Sequence, residues 1–174
     1  MKKEDYARAR KFHNIFRFID DLLALNDGGE FGKSFLDIYP AELVLNKENV
    51  NDHQTTFLDL FIQIIDNMFK YKLFDKRDAF SFHIVRFPYK CSDLPSKMFY
   101  STISAEILRI CRASLFAEDF FASADPFLKR MKDQGALREG VKGSLCKLFV
   151  RHFDSFRKYG LHKEELINRL SNLL

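Results

Sequence analysis

The sequence predicts an α+β fold in which a small antiparallel sheet is followed by a helical bundle. In residues 68–74 apolar side chains alternate with two lysines, which is the period of a strand that buries one face. Farther along, apolar side chains recur at helical spacing instead, as Ile103 and Ile107 do. Hydrophobic residues make up 47% of the 174 positions, which is enough for a real core. The change of pattern divides the chain into residues 1–97 and 98–174.

The first elements are short. Residues 1–11 are charged and rich in helix formers, and Asn26-Asp27-Gly28-Gly29 is a strong turn signal. Residues 31–38 are predicted to form a short helix that ends at Tyr39-Pro40. After it we predict a strand at residues 42–45 and a polar turn or loop at residues 46–55.

A β-hairpin is predicted next. Residues 56–65 and 68–74 are its two arms, and Asp66-Asn67 is the turn between them. Pro88 and Pro95 then bracket a stretch that we expect to be irregular.

The second region is predicted to be helical throughout. Its second helix is either continuous or a pair broken near Asp125-Pro126. Gly135 and Gly160 suit the position just after a helix, so each marks the end of one. The predicted helices begin near residue 98 and then cover residues 116–131, 138–159 and 162–173.

Residues 17–26 carry the most informative pattern, because Asp20 and Asp21 lie inside an otherwise apolar run. Ionised carboxylates are costly to bury unless something compensates them. A divalent metal is one compensation, and Mg²⁺ is typically held by one or two carboxylates together with substrate phosphates. By periodicity alone, residues 12–25 are predicted to be an amphipathic helix. The acidic pair would then lie on a solvated helix face, or else in an exposed turn.

Phe18-Ile19-Asp20-Asp21 between two apolar arms resembles the metal-binding hairpin of reverse transcriptases. The most specific match is residues 72–82, which closely resemble a Lys-Leu-Tyr-Asp-Lys-Arg-Asp-Asp-Phe-x-Phe run in reverse transcriptases of eukaryotic retroelements. This chain departs from the family at Phe18, where Tyr is usual, at Ala79, where Asp is expected, and at Ser101-Thr102, which replace Gly-Val. Further collinear matches are residues 38–43, 57–60, 84–89 and 91–95, with looser ones at 108–113, 119–120 and 134–135.

The resemblance implies strand-turn-strand at residues 12–25, a partial palm at 1–97 and a thumb-like bundle at 98–174. It assigns Asp20 and Asp21 as catalytic ligands of Mg²⁺ or Mn²⁺ in two-metal nucleotidyl transfer, on an RNA template and a DNA primer. The fingers and the first catalytic-aspartate strand of the family would precede residue 12. We therefore expect a chain that inherits this chemistry but is catalytically incomplete by itself.

Basic residues supply candidate nucleic-acid contacts. By resemblance, Lys72, Lys76 and Arg77 lie near the primer strand, where phosphate contacts are expected; a salt-bridged surface strand explains them equally well. One face of the predicted third helix carries Lys147, Arg151 and Lys158. Contacts to a duplex backbone would use such a face. A solvated helix face is the alternative.

Composition limits the classes of protein to which this chain can belong. The net charge of +4 allows an anionic partner without requiring one. No apolar run reaches the roughly 18 residues of a membrane span, and no secretory leader is recognisable. Three widely spaced cysteines without a CxxC pair indicate reduced intracellular thiols. The rival functions are a non-catalytic nucleic-acid-binding module and an inactive relic of a retroelement.

Overall fold

The computed structural model describes residue 10 and residues 12–49, 51–82 and 84–174. Apart from Arg10, the charged stretch at residues 1–11 lies outside the described residues. The chain divides between Leu58 and Asp59 into two compact units. Five α-helices and five strands lie within the described residues, which confirms the α+β class.

The first unit combines a hairpin with one helix. Its first two strands are antiparallel and pair Phe18 with Asp21 at the closed end. Residues 12–25 are therefore strand-turn-strand, and the helix expected from periodicity alone is wrong. The described elements are β1 (Ile15–Phe18), β2 (Asp21–Ala24), α1 (Glu30–Ile38) and β3 (Gln54–Phe57).

Helix α1 is confirmed close to its predicted bounds, and a side chain fixes its start. The Asp27 carboxylate accepts hydrogen bonds from the backbone N–H groups of Gly29 (3.1 Å) and Phe31 (3.0 Å). These are donors that the first helical turn leaves free. Phe31 and Phe35 are buried one turn apart, and the Phe35 ring stacks on Tyr39 with centroids 4.8 Å apart. This row of rings gives the small unit an aromatic core.

The strand predicted at residues 42–45 is wrong. The chain has no regular structure between residues 43 and 49, and Val44 is 80% exposed. A strand needs a neighbour to satisfy its backbone groups, and within the described residues none pairs with this segment. The apolar triplet Leu43-Val44-Leu45 is therefore not sufficient to predict a strand.

The second unit holds a hairpin and four helices. Two 3-10 segments, Lys76–Ala79 and Phe153–Tyr159, connect longer elements. Its strands and helices are β4 (Leu60–Ile65), β5 (Met68–Leu73), α2 (Ser96–Ala113), α3 (Ala117–Asp133), α4 (Arg138–His152) and α5 (Lys163–Ser171).

The hairpin predicted around Asp66-Asn67 is confirmed. The two turn residues have φ of 53° and 59°, the left-handed region that Asn and Asp tolerate better than most residues. Strands β4 and β5 pair in register from Leu60 with Leu73 to Ile65 with Met68. A turn at residues 58–59 divides the predicted first arm into β3 and β4.

The helical region follows the prediction with two refinements. Helix α3 is continuous through Pro126, because its buried face outweighs the hydrogen bond that a proline cannot donate. Helix α4 ends at His152, earlier than predicted, and the chain continues as a 3-10 helix up to Gly160. Phe153, Phe156 and Tyr159 recur every third residue, and three residues per turn place them on one side of that helix.

The hydrophobic core of the second unit lies among its helices. Fully buried side chains from all four helices form it, and Leu73 and Phe87 pack against it from the preceding segments. The predicted boundary at residues 97 and 98 therefore falls inside this unit. Core residues include Phe99, Ile103, Ile107, Phe120, Phe127, Leu128, Met131, Leu145, Phe149, Phe156 and Leu166. Within the described residues, no helix is both long enough and apolar enough to cross a bilayer.

The Tyr100 ring of α2 lies against Gly140 of α4. A Cβ added at Gly140 would lie 2.1 Å from Cζ of Tyr100, whereas one added at Gly143 would meet nothing within 4 Å. We expect Gly140→Ala to lower the free energy of unfolding by about 1–3 kcal/mol, since the ring must move. We expect the matched Gly143→Ala to raise it by up to about 1 kcal/mol through helix propensity. Urea denaturation measures both; a gain in stability for both variants would contradict this packing.

Candidate functional site

The acidic pair lies at the tip of the first hairpin. Asp20 occupies the two-residue turn after β1, and Asp21 is the first residue of β2, opposite Phe18. Both aspartates are exposed. Phe18 and Ile19 are also exposed, at 53% and 73%, so the tip presents carboxylates among apolar side chains.

The turn itself is strained. Ile19 has φ of 54°, a conformation that is a real outlier for a β-branched residue. Such a residue costs roughly 1–3 kcal/mol and persists only where its surroundings fix it. Nε of Arg17 donates a hydrogen bond to the Ile19 carbonyl at 2.8 Å. The same guanidinium lies 5.5 Å from the centroid of the Tyr39 ring and donates to its hydroxyl at 3.3 Å. The end of α1 therefore anchors the turn.

Chemically, the tip offers oxygen ligands without a competing partner. Within the described residues, neither Asp20 nor Asp21 makes a hydrogen bond or an ion pair through its carboxylate. Exposed carboxylate oxygens suit a hard divalent cation such as Mg²⁺. Among the residues that the structure describes, no group of three or more His, Cys, Asp and Glu side chains is placed to hold a metal ion. Two carboxylates by themselves would supply only part of the coordination sphere of such an ion.

A second feature is a cleft of about 320 Å³ in the second unit. The β4–β5 register places Phe61 opposite Lys72 and Gln63 opposite Lys70, so these four side chains share one face of the hairpin. Phe116, just before α3, lines the cleft as well. The ammonium of Lys72 lies 5.6 Å from the centroid of Phe61, and that of Lys70 lies 5.9 Å from the centroid of Phe116. The cleft therefore pairs positive charge with aromatic rings.

Of the predicted primer-strand residues, Lys72 lines this cleft and Lys76 is exposed in the 3-10 segment. Arg77 is committed to an ion pair, since its Nε donates to both Asp75 oxygens at 2.7 and 3.0 Å and its terminal nitrogen also reaches Asp75. The hydrogen bonds from the Arg77 side chain are the main cause of the lowered pKa of Asp75. The salt-bridge alternative therefore holds for Arg77.

The predicted basic helix face divides at the end of α4. Lys147 and Arg151 are exposed on α4 and make no ion pair within the described part of the chain. Lys158 lies in the 3-10 helix, and its ammonium donates to the carbonyls of Cys111 (2.7 Å) and Ser114 (2.6 Å). These carbonyls lie at the end of α2, where a cation is favourable. The spacing that placed Lys158 beside the other two is not realised.

Sequence reasoning missed several residues of these sites. Nothing local marks Arg17 and Tyr39 as supports of the turn, because they lie 22 residues apart. The alternation in β5 could have predicted that Lys70 lies on the same face as Lys72. Phe61 and Phe116 join the cleft only through tertiary packing.

No protein-family model matches the chain, and no curated protein or solved structure matches it at a significant level. The functional interpretation therefore depends on the motifs and on the geometry described above.

Proposed function

We propose that this chain carries the metal-binding hairpin and the nucleic-acid-holding helical region of a retroelement reverse transcriptase, an RNA-directed DNA polymerase. The observation that carries the proposal is the exposed Asp20-Asp21 pair at a strained, externally anchored two-residue turn. The collinear resemblance of the segments after it, above all residues 72–82, supports the same family. RNA template and DNA primer are then the proposed partners.

In this proposal the hairpin presents carboxylates to Mg²⁺ or Mn²⁺. Such ions activate the attacking hydroxyl and stabilise the charge that develops during phosphoryl transfer. Asp20 is the proposed direct ligand, and Asp21 its less direct neighbour. Arg17 holds the turn through the Ile19 carbonyl, so the carboxylates need little reorganisation when a ligand arrives.

A complete site needs more than this hairpin. Two-metal catalysis places the ions roughly 3.5–4 Å apart, and one exposed pair offers few of the ligands that near-octahedral Mg²⁺ requires. Additional carboxylates must come from residues beyond the hairpin or from another chain. We therefore propose that the 174-residue chain by itself is catalytically incomplete.

Metal binding at the tip is testable on the chain as it is. We expect Mn²⁺ to broaden the amide NMR signals of residues 18–22 through weak binding, and excess Mg²⁺ to reverse the effect. Asp20→Asn should abolish most of this broadening. Asp66→Asn removes the same charge from the tip of the other hairpin, where Asn suits the positive φ, and should leave it unchanged. Equal broadening in wild type and Asp20→Asn would refute the metal site.

Primer extension on an RNA template tests the chemistry separately. We expect no Mg²⁺- or Mn²⁺-dependent extension by the isolated chain. Extension that Asp20→Ala abolishes would refute incompleteness while supporting the polymerase assignment.

A non-catalytic nucleic-acid-binding module is the second candidate. The observation that favours it is the exposed, unpaired pair Lys147 and Arg151 on α4, within the described residues. The cleft with Lys70 and Lys72 adds positive charge beside aromatic rings, a combination that suits phosphates and bases. This function does not depend on Asp20.

Charge reversal tests the basic face. We expect Lys147→Glu with Arg151→Glu to weaken duplex binding and to reduce the slope of log Kobs against log salt by about 1.8, since each lost phosphate contact contributes roughly 0.9. Lys33→Glu with Lys47→Glu changes the net charge equally in the first unit and should affect binding much less. Fluorescence anisotropy over a salt series measures both. Unchanged binding in the α4 variant would remove this face from the interface.

A further inference from the structure

A small cavity of about 100 Å³ lies in the second unit, where the end of β5, α2 and α3 meet. One water molecule needs roughly 10–15 Å³ of such space, so the cavity has room for several waters or for one compact polyatomic ion. Its polar lining comes from Asp75, Arg77, Glu106, Ser123 and Arg130.

Of the charged residues that line this cavity, all but Arg130 form ion pairs with described residues. Both Asp75 oxygens accept hydrogen bonds from Arg77. Both Glu106 oxygens accept from Arg109, at 2.9 and 2.6 Å, and Arg86 approaches Glu106 at 3.6 Å. The two carboxylates that line the cavity are therefore already paired with arginines, of which Arg77 also lines the cavity.

Arg130 is the exception. Its Nε is buried and has no hydrogen-bond partner within the described residues, and its guanidinium makes no ion pair there. It lies close enough to Asp75 for its charge to help lower the pKa of that carboxyl. Ser123 lies seven residues earlier on α3, on the same helix face, and brings a hydroxyl donor to the cavity.

A buried N–H without an acceptor is costly. A water molecule could accept this hydrogen bond but would bring no negative charge to the guanidinium. An anion would satisfy the donor and match the charge together, and guanidinium groups recognise phosphate oxygens particularly well.

We propose that this cavity binds a single phosphate group through the Arg130 guanidinium, with the Ser123 hydroxyl as a second donor. The site does not depend on the polymerase assignment or on the metal-binding hairpin. The phosphate could be inorganic or belong to a nucleotide or nucleic acid, since the recognising chemistry is the same.

Phosphate titration of the full chain at constant ionic strength tests the proposal. We expect saturable NMR shifts of the Arg130 Nε–H signal and of the Ser123 amide. Arg130→Met should raise Kd about ten-fold or more, because a charge-assisted hydrogen bond is lost. Lys132→Met removes an exposed charge from the same helix end and should leave Kd unchanged. Absence of saturable shifts, or equal Kd in wild type and Arg130→Met, would overturn the site.

A second variant and a competition experiment complete the test of the phosphate site. If Arg130→Met does not fold, Arg130→Lys retains the charge without the Nε–H and should still weaken binding. Competition then identifies the source: a 5′-hydroxyl oligonucleotide displaces inorganic phosphate only if an internal diester occupies the site. Displacement by the 5′-phosphorylated oligonucleotide alone indicates a terminal phosphate, and displacement by neither indicates a small phosphate.

Discussion

Replacing Glu106 with alanine is expected to lower the free energy of unfolding by about 3 kcal/mol, the lower end of the range for breaking a buried ion pair. The Glu106 side chain is 7% exposed and accepts two hydrogen bonds from Arg109. Arg109 also donates to Asp59 at 2.8 Å, which ties the start of β4 to α2. Removing the carboxylate leaves a partly buried guanidinium without its main partner.

The lower end of the range applies because the Arg109 guanidinium remains partly compensated after Glu106 is removed. Its side chain is 25% exposed, and it retains Asp59. Glu106 raises the pKa of Arg109, chiefly through the side-chain hydrogen bonds, so this charge stays in place at any ordinary pH.

Replacing both partners tests whether the loss comes from the carboxylate's partner being left uncompensated. We expect Glu106→Met with Arg109→Met to recover much of the stability that Glu106→Ala loses, since apolar residues of similar volume often replace buried ion pairs well. Arg112→Met, an exposed cation on the same helix, is the control and should change little. Chemical denaturation provides the free energies, and a single-variant loss below about 1 kcal/mol, the worth of a surface pair, would contradict the assignment.

Phe156→Ala should destabilise the second unit by about 3–5 kcal/mol, because it opens a cavity where three helical segments meet. The Phe156 ring is fully buried and lies edge to face with Phe149, at 4.6 Å, and with Phe120, at 5.9 Å. Edge-to-face pairs add roughly 0.5–1.5 kcal/mol each to the burial term. The free energy of unfolding of a domain is usually about 5–15 kcal/mol, so this loss would be a large share of the total stability.

Phe82→Ala is the matched control, since that ring is 64% exposed and should cost less than about 1 kcal/mol. Phe156→Leu should fall between the two variants, because leucine refills part of the space. Thermal and urea unfolding measure all three. If Phe156→Ala and Phe82→Ala lose equal stability, the 3-10 segment does not pack as described.

Much of the fold was predictable from local pattern. The alternation in β5 and the Asp66-Asn67 turn give the second hairpin, because period and turn chemistry are both local. The helix ends at Gly135 and Gly160 were also readable, since both glycines have positive φ, 92° and 67°. Residues 12–25 were not predictable from period alone, as the same spacing fits a helix; only the family resemblance gave the hairpin.

The two wrong predictions have different physical causes. The apolar triplet at residues 43–45 predicted a strand, but strand formation depends on a partner that local sequence does not name. Helix α4 was predicted to continue to residue 159, yet the core accepts Phe153, Phe156 and Tyr159 at a spacing of three, which favours 3-10 winding. That spacing was visible in the sequence and was a usable signal.

The sequence alone predicted the α+β class and the type of most elements, because periodicity and turn residues are local features of the chain. It also contains the acidic pair on which the proposed chemistry depends. Tertiary structure decided which charges remain available. The sequence left a salt bridge open for Arg77, and the fold pairs it with Asp75. Nothing in the sequence separates Lys158 from Lys147, but the ammonium of Lys158 is held by the carbonyls at the end of α2. The strain at Ile19 and its support by Arg17 likewise arise from contacts that only the folded chain creates. The same is true of the buried Nε of Arg130, which has no hydrogen-bond partner among the described residues.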